Sequence, residues 1–188
     1  MITIRKNAKK LLIIIAIIIL LTVVVICINK LMTKIIYKKE YSEYVSKYSQ
    51  AYNVDENLIY ALIKAESNFD EEAVSLKDAK GLMQLMYSTA EDVAKKNSIN
   101  LTKENILDPD ININIGTKYI STLLEKYNCT EIALAAYNAG SGNVDKWIAN
   151  GTIKSDGSDI ENIPFKETNN YVRKIIRDYK IYSKYSEL

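Results

Sequence analysis

A long run of apolar residues near the N-terminus sets the first limit on how this chain can fold. The 18 residues from Leu11 to Ile28 are aliphatic except for Thr22 and Cys27. About 18 such residues are just enough for a helix to cross the hydrocarbon core of a bilayer. Basic residues flank the run on both sides, which argues against a helix buried in a protein core. The sequence therefore predicts contact with a membrane through residues 11–28.

A cleaved signal peptide is the alternative interpretation of this run. Such a peptide has a shorter apolar core, followed by small residues before the cut site. Here the end of the run is β-branched, no Ala-x-Ala is present, and Ile26 precedes Cys27 where a lipoprotein signal has a small residue. We predict an uncleaved anchor over residues 1–29, followed by a stalk or first helix over residues 30–50.

The orientation of the anchor is only weakly encoded, because four basic residues lie on each side of the apolar run. The basic N-terminal segment resembles the n-region of a secretory signal. We therefore expect a cytoplasmic N-terminus, a single pass, and a main domain on the extracytoplasmic side of the cell membrane.

The composition of the main domain excludes several kinds of function. From Glu40 onward the chain carries 17 Lys and Arg against 23 Asp and Glu, a net charge of −6, so nucleic acid is not an expected partner. The chain has no histidine, which removes Ser-His-Asp and Cys-His catalysis and any metal site that needs imidazole. Its two cysteines, Cys27 and Cys129, show neither zinc-ligand spacing nor a disulfide framework.

Apolar spacing and helix-start signals predict an all-α domain of five to seven helices, because no strand pattern or internal repeat is present. The predicted helices are one from about Asp55 to Ser67, one from Thr89 to Lys96 behind a Ser88–Glu91 capping box, one beginning at Asp108-Pro109, one capped by Thr130 that ends at Gly140 and Gly142, and one from about Thr168 to Lys184. Residues 68–80, 97–105 and 150–161 are predicted loops.

One acidic residue interrupts the apolar face of the first of these helices. Ile59, Leu62, Ile63 and Glu66 follow the i, i+3, i+4, i+7 spacing of one helical face. Desolvation there would raise the pKa of the carboxyl group, so that it could hold a proton near neutral pH and act as a general acid. Alternatively, the side chain points to solvent or pairs with a nearby lysine.

Three groups of residues follow in order along the domain. The first contains Glu66-Ser67, Ser75, Gly81-Leu82-Met83-Gln84, Met86 and Thr89-Ala90; the second contains Asp108-Pro109, Asn112-Ile113, Gly116 and Tyr119; the third contains Ala136-Tyr137-Asn138-Ala139-Gly140, Gly142, Val144, Trp147, Ile163-Pro164-Phe165, Glu167-Thr168 and Tyr171-Val172. Together they resemble the catalytic domain of the soluble lytic transglycosylases, which is related to goose-type lysozyme. The resemblance covers about residues 51–183 and implies a lysozyme-like helical catalytic domain over residues 51–188. Three positions depart from the family pattern: Asp78 and Lys80 replace small residues, and Tyr87 replaces a proline.

The resemblance also implies a site and a substrate. It assigns the catalytic acid and base to Glu66, and no metal or organic cofactor is implied. The cleft positions that would hold the glycan or tune the acid are Ser75, Gln84, Met86, Tyr137, Asn138, Glu167 and Tyr171. Family members cut the β-1,4 bond between N-acetylmuramic acid and N-acetylglucosamine in peptidoglycan, so glycan strands are the expected partner. Cell-wall machinery is a further possible partner that the sequence does not identify.

A lytic transglycosylase can work with a single acid because the 6-hydroxyl of the muramic acid is the nucleophile, which gives a 1,6-anhydro product. Two alternatives remain open. A hydrolytic muramidase of the same fold would need a second carboxylate to activate water, and the candidates near in sequence are Asp70, Glu71, Glu72 and Asp78. A glycan-binding or assembly module would use the cleft without cutting.

Overall fold

The computed structural model describes the backbone of residues 2–186 and the side chains of residues 12–185. The basic side chains before Leu11 and the last two residues of the expected catalytic domain lie outside this description. The chain divides into two compact units, one up to Lys38 and one from Lys39 onward. The helices are α1 (Ile2–Ile36), α2 (Ser42–Tyr52), α3 (Glu56–Glu66), α4 (Tyr87–Lys96), α5 (Pro109–Tyr127), α6 (Thr130–Ala139), α7 (Ser141–Ala149) and α8 (Lys166–Ser186), with a 3-10 turn at Ile160–Asn162.

The first unit is the single helix α1. Its segment Leu12–Ile36 is long and apolar enough to cross a membrane, and its side chains are almost all exposed. Thr22 lies within this segment, and its hydroxyl group donates to the carbonyl oxygens of Ile18 and Ile19. The helix itself therefore satisfies its interior hydroxyl group, as an apolar surrounding requires.

The second unit is helical, with seven α-helices between residues 39 and 186, and no strand is present in the part of the chain that the structure describes. Helix α3 packs against α8, α5 packs against α2 and α6, and α6 packs against α7 and α8. Ile59, Leu62 and Ile63 of α3 are fully buried in this core. Burying each such side chain contributes about 1.5–3 kcal/mol, so the position of α3 is firmly held.

Two predicted helix starts are confirmed in detail. Asp55 caps α3, and its carboxylate accepts from the backbone N–H of Asn57. Asp108 caps α5 and accepts from the N–H groups of Asp110 and Ile111, while Pro109 occupies the first helical position. Proline suits that position because its missing N–H would have no partner within the helix.

Several predicted ends were wrong. Helix α4 begins at Tyr87 and has Met86 as its N-cap, so Ser88 already lies inside the helix and makes no capping box. Cys129, not Thr130, is the N-cap of α6. Gly140 does end α6, but Gly142 lies within α7, a helix that the sequence analysis did not predict.

The segment between the two units ends one helix and starts another. Helix α1 continues to Ile36, and α2 begins at Ser42 after Tyr41, whose φ of 57° is left-handed. Helix α2 then packs on α5 and α3. Residues 42–50 are therefore part of the second unit's core packing.

Candidate active site

Glu66 is the last residue of α3 and lies at the edge of an open cleft of about 510 Å³. The described residues that line this cleft are Glu66, Ser75, Leu76, Lys77, Ala79, Gln84, Met86, Tyr137, Asn138 and Glu167. They come from the end of α3, the loop before α4, the end of α6 and the start of α8. A smaller cavity of about 210 Å³ shares Gln84, Met86, Tyr137 and Asn138 with the cleft and extends to Gly140. Because they share these residues, the two cavities adjoin and form one groove.

The surroundings of Glu66 favour the protonated carboxyl group. Burial raises the pKa of Glu66 from its ordinary value of 4.5 to about 7, although a hydrogen bond from Tyr171 and the charge of Lys174 both act to lower it. Lys174 donates to the carbonyl oxygen of Ala65 over 3.2 Å, which places its ammonium group at the end of α3. Neither Lys64 nor Lys80 forms an ion pair with Glu66; Lys80 pairs with Asp78 at 3.5 Å. At neutral pH the carboxyl group of Glu66 can therefore both give and take a proton.

Two tyrosines approach the cleft from helices α6 and α8. The hydroxyl group of Tyr171 donates to Oε1 of Glu66. The hydroxyl group of Tyr137 donates to the carbonyl oxygen of Met83 over 2.8 Å, so in this structure it does not bond to Glu66. Burial and the nearby Glu66 charge raise the pKa of both phenols well above 10. Both hydroxyl groups therefore stay protonated and act as donors.

The Gly-Leu-Met-Gln segment forms a tight turn against α5. The backbone N–H of Met83 donates to Oδ1 of Asn112, and Nδ2 of Asn112 donates to the carbonyl oxygens of Lys80 and Ile106. Gly81 has a φ of 74°, and a Cβ atom there would collide with the Asn112 side chain. A residue without a side chain is therefore required at Gly81 by conformation and by space.

One turn further along the same face of α5, Gly116 receives the side chain of Met83. A Cβ atom on Gly116 would lie 2.8 Å from Cβ of Met83, which is closer than packed carbon atoms approach. Gly116 thus lets the turn lie directly on the helix. The turn therefore fixes the wall that carries Gln84 and Met86.

The loop from Ser75 to Ala79 is closed by its own first residue. Oγ of Ser75 accepts from the N–H groups of Lys77 and Ala79, and the N–H of Ser75 donates to the carbonyl oxygen of Ala79. Gln84 holds the base of this wall, since its amide nitrogen donates to the carbonyl oxygens of Ala73 and Gly81. The carbonyl oxygen of the Gln84 side chain remains as the group that could accept from a ligand.

The far wall joins the end of α6 to the start of α8. Oγ1 of the buried Thr168 donates to Oδ1 of Asn138 over 2.7 Å, which leaves the amide N–H groups of Asn138 for the cleft. Glu167 precedes Thr168 and turns its exposed side chain into the cleft. Trp147 and Phe165 support this start of α8 in an edge-to-face pair with centroids 5.0 Å apart.

The structure thus brings the predicted site residues together, because seven of them line the cleft and the eighth, Tyr171, contacts Glu66 from α8. Three cleft residues were not predicted: Leu76, Lys77 and Ala79. Their place between Ser75 and the Gly81 turn was the signal that could have identified them. No group of three or more His, Cys, Asp or Glu side chains that could hold a metal ion occurs among the described residues.

The carboxylates proposed from sequence proximity to activate water do not line the cleft. Glu71 accepts from the hydroxyl group of Tyr41, and Asp70 accepts from the N–H of Glu72. Asp78 pairs with Lys80. Of the residues lining the cleft, Glu167 is the second carboxylate beside Glu66.

Comparisons with known proteins identify the family of this chain. The family described as the transglycosylase SLT domain matches residues 43–160. The chain is 34% identical over 149 residues to the soluble lytic murein transglycosylase of Escherichia coli K12. The matched region covers 77% of this chain and 23% of that protein. It is also 34% identical over 169 residues to the membrane-bound lytic murein transglycosylase C of Yersinia pestis. That match covers 78% of this chain and 47% of that protein.

A solved structure shows the same fold. The lytic transglycosylase Slt of Pseudomonas aeruginosa, in an inactive glutamate-to-glutamine mutant, superposes with a TM-score of 0.73 at 31% identity, over 80% of this chain and 25% of that chain. The predicted all-α, lysozyme-like class is therefore confirmed. The chain spans about a quarter of the length of that enzyme and of the soluble relative.

Proposed function

We propose that this chain is a peptidoglycan lytic transglycosylase. The proposal starts from its family, since the chain belongs to the transglycosylase SLT domain family. The reaction would cut the β-1,4 bond between N-acetylmuramic acid and N-acetylglucosamine without water and leave a 1,6-anhydro-muramic end. The observation that carries the proposal is Glu66, a carboxyl group with its pKa raised to about 7 at the edge of an open cleft. A general acid and base works best when its pKa lies near the working pH.

A single carboxyl group is enough for this chemistry. Glu66 gives its proton to the bridging oxygen as the bond from that oxygen to the anomeric carbon breaks, and the electron pair stays on the leaving sugar. The 6-hydroxyl group of the muramic acid then forms the new bond to the anomeric carbon, and its proton passes to the ionised Glu66. The acid is restored, and no water or other co-reactant is consumed. Because the nucleophile belongs to the same sugar, little translational entropy is lost.

The neighbouring residues would support this cycle in different ways. Tyr171 donates to Glu66, so it would hold the carboxyl group in one orientation and stabilise its ionised form. Asn138 would present its free amide N–H groups to the glycan, and Gln84 its side-chain oxygen. We propose that the remaining cleft residues hold the glycan strand by contact: Ser75, Met86, Tyr137 and Glu167.

A hydrolytic muramidase is the second candidate function, and one observation favours keeping it. Glu167 lines the cleft together with Glu66, and a carboxylate across the scissile bond could activate a water molecule. The product distinguishes the two reactions, because hydrolysis leaves an ordinary reducing end. A module that binds glycan without cutting would give no product.

We further infer that residues 1–29 anchor the protein in the cell membrane by a single pass and that residues 51–188 form the catalytic domain on the extracytoplasmic side. The helical segment Leu12–Ile36 supports the anchor. Residues 30–50 then contain the end of α1 and most of α2, and the packing of α2 on α5 favours a first domain helix over a stalk. An alkaline phosphatase fused after Leu188 should be active in cells; an inactive fusion in a stable protein would contradict this orientation.

The decisive experiment is a digest of purified peptidoglycan with the full chain in detergent, read by mass spectrometry. Glu66→Gln is run in parallel as a variant of nearly the same shape. We expect 1,6-anhydro-muropeptides from the wild type and roughly 10²–10⁴-fold less from the variant, because general acid–base catalysis contributes about that factor. Ordinary reducing ends would establish a hydrolase instead. Equal rates from both proteins would remove Glu66 from the mechanism.

A further inference from the structure

The loop that closes one side of the cleft carries a lysine at its tip. Ser75 Oγ accepts from the backbone N–H groups of Lys77 and Ala79. These two hydrogen bonds fix the turn that runs from Ser75 to Ala79. Leu76 at this tip is fully exposed, with a relative exposure of 108%. Lys77 lines the cleft beside it. The backbone of the turn thus holds a cation at the rim of the groove.

The ammonium group of Lys77 is available to a ligand. It forms no hydrogen bond or ion pair with any residue whose side chain the structure describes. By contrast, Lys80 pairs with Asp78, and Lys95 pairs with Glu91 over 3.2 Å on α4. Lys77 also does not contribute to the pKa shift of Glu66, whose charged partner is Lys174. Lys77 thus lines the cleft without contributing to the pKa shift of Glu66.

Lys77 lies in a groove whose other charged lining residues are acidic. The other charged residues that line the cleft are Glu66 and Glu167, and Lys77 is the one basic residue among the described lining residues. The chain from Glu40 onward has a net charge of −6. Such a surface repels an anionic polymer, and peptidoglycan carries carboxylates on its muramic acids and stem peptides. Complementary charge at the binding site is needed to offset that repulsion.

We propose that Lys77 binds a carboxylate of the glycan substrate and so selects strands by their negative charge. This inference rests on the proposed function for the identity of the polymer. The carboxylate has two sources with the same chemistry: the lactyl group of a muramic acid without a peptide, or the stem peptide of a muramic acid that carries one. A lysine can serve either, because its ammonium group is a compact charge on a flexible stem.

The test measures binding, so that it does not depend on cleavage. Full chains in detergent carry Glu66→Gln, either alone, with Lys77→Met, or with Lys95→Met as a control lysine on α4. Each is titrated against soluble glycan strands in three forms: with stem peptides, without stem peptides, and with all carboxyl groups capped as methylamides. Because Lys77 is exposed, we expect its removal to weaken binding to charged strands only about three- to tenfold.

The expected pattern is specific. Capping should weaken binding of the Glu66→Gln protein and of the Lys95→Met control by the same three- to tenfold, but should not weaken binding of the Lys77→Met protein. A loss confined to strands without stem peptides identifies the lactyl carboxylate, and a loss confined to strands with them identifies the peptide. Equal sensitivity to capping with and without Lys77 overturns the inference. Failure of the lytic reaction itself would appear only in the products of the wild-type digest.

Discussion

Replacing the acid at the cleft should make the folded protein more stable, and only at neutral and alkaline pH. Glu66 has a pKa of about 7 when folded, against an ordinary value of 4.5. A carboxyl group whose pKa is higher in the folded state binds its proton more tightly there. Its contribution to stability is therefore complete below pH 4.5 and is lost as the pH rises to about 7.

The size of the effect follows from the shift. One pKa unit corresponds to 1.36 kcal/mol, so ionising Glu66 costs the folded state about 3 kcal/mol by pH 8. Glutamine has nearly the same shape, never ionises, and can still accept from Tyr171 through its side-chain oxygen. The Glu66→Gln variant should match the wild type at pH 4.5 and gain about 3 kcal/mol at pH 8. For a domain of this size that corresponds to a rise in Tm of about 6–12 °C.

Thermal unfolding followed by helical circular dichroism, on both full chains in detergent from pH 4.5 to pH 8, measures this difference. The chain is well suited to the test because it has no histidine, so few other groups titrate in this window. Glu161→Gln, at an exposed carboxyl group of the 3-10 turn, is the matched control substitution. Parallel curves for Glu66→Gln and wild type across the whole range would refute the reasoning.

Two further outcomes are expected. Tyr171→Phe removes the hydrogen-bond donor that favours ionised Glu66. The pKa of Glu66 should therefore rise, and the alkaline limb of the pH–rate profile should move up by about one pH unit. If the rate falls and the limb does not move, Tyr171 has only a packing role. A fragment beginning at Lys39 should keep the helical circular dichroism and the cleavage activity of the second unit, since that unit is compact by itself. Loss of the helical signal in the fragment would show that the N-terminal helix is needed for folding.

The helices that the sequence predicts well are those with both a periodic apolar face and a strong cap. Helix α3 combines buried Ile59, Leu62 and Ile63 with the Asp55 cap, and α5 begins with Asp108 and Pro109. Local sequence signals predicted helix starts less reliably where tertiary contacts determine the backbone conformation. The Ser88–Glu91 pair has the capping-box spacing, but the chain leaves the bridge between Lys80 and Leu85 in an extended form and enters α4 one residue before Ser88.

Helix α7 was missed for a related reason. Gly142 was interpreted as a stop because glycine is a poor helix former. In the structure Gly140 takes the positive φ of 84° that ends α6, and Gly142 is free to be helical. The burial of Val144 and Trp147 outweighs the low propensity of one glycine.

The periodicity of apolar residues could predict only part of the candidate site. The apolar stripe of α3 singled out Glu66, but its partner Tyr171 was placed near the cleft by family resemblance alone. Nothing local could have shown that Tyr137 donates to the carbonyl oxygen of Met83. Lys77 was not among the predicted site residues, because no motif singled it out. Its significance depends on the charges across the cleft, which only the folded chain reveals.

The hydrogen bond between Tyr171 and Glu66 joins residues that are 105 positions apart. During synthesis, α3 is made long before α8, so a growing chain contains its proton donor well before it contains the group that orients it. Glu167, on the same last helix, is missing over the same interval. If the proposed chemistry holds, a ribosome-bound or prematurely terminated chain has no working cleft. An enzyme able to damage the cell's own wall would thus be kept inactive until its last helix has been made and docked.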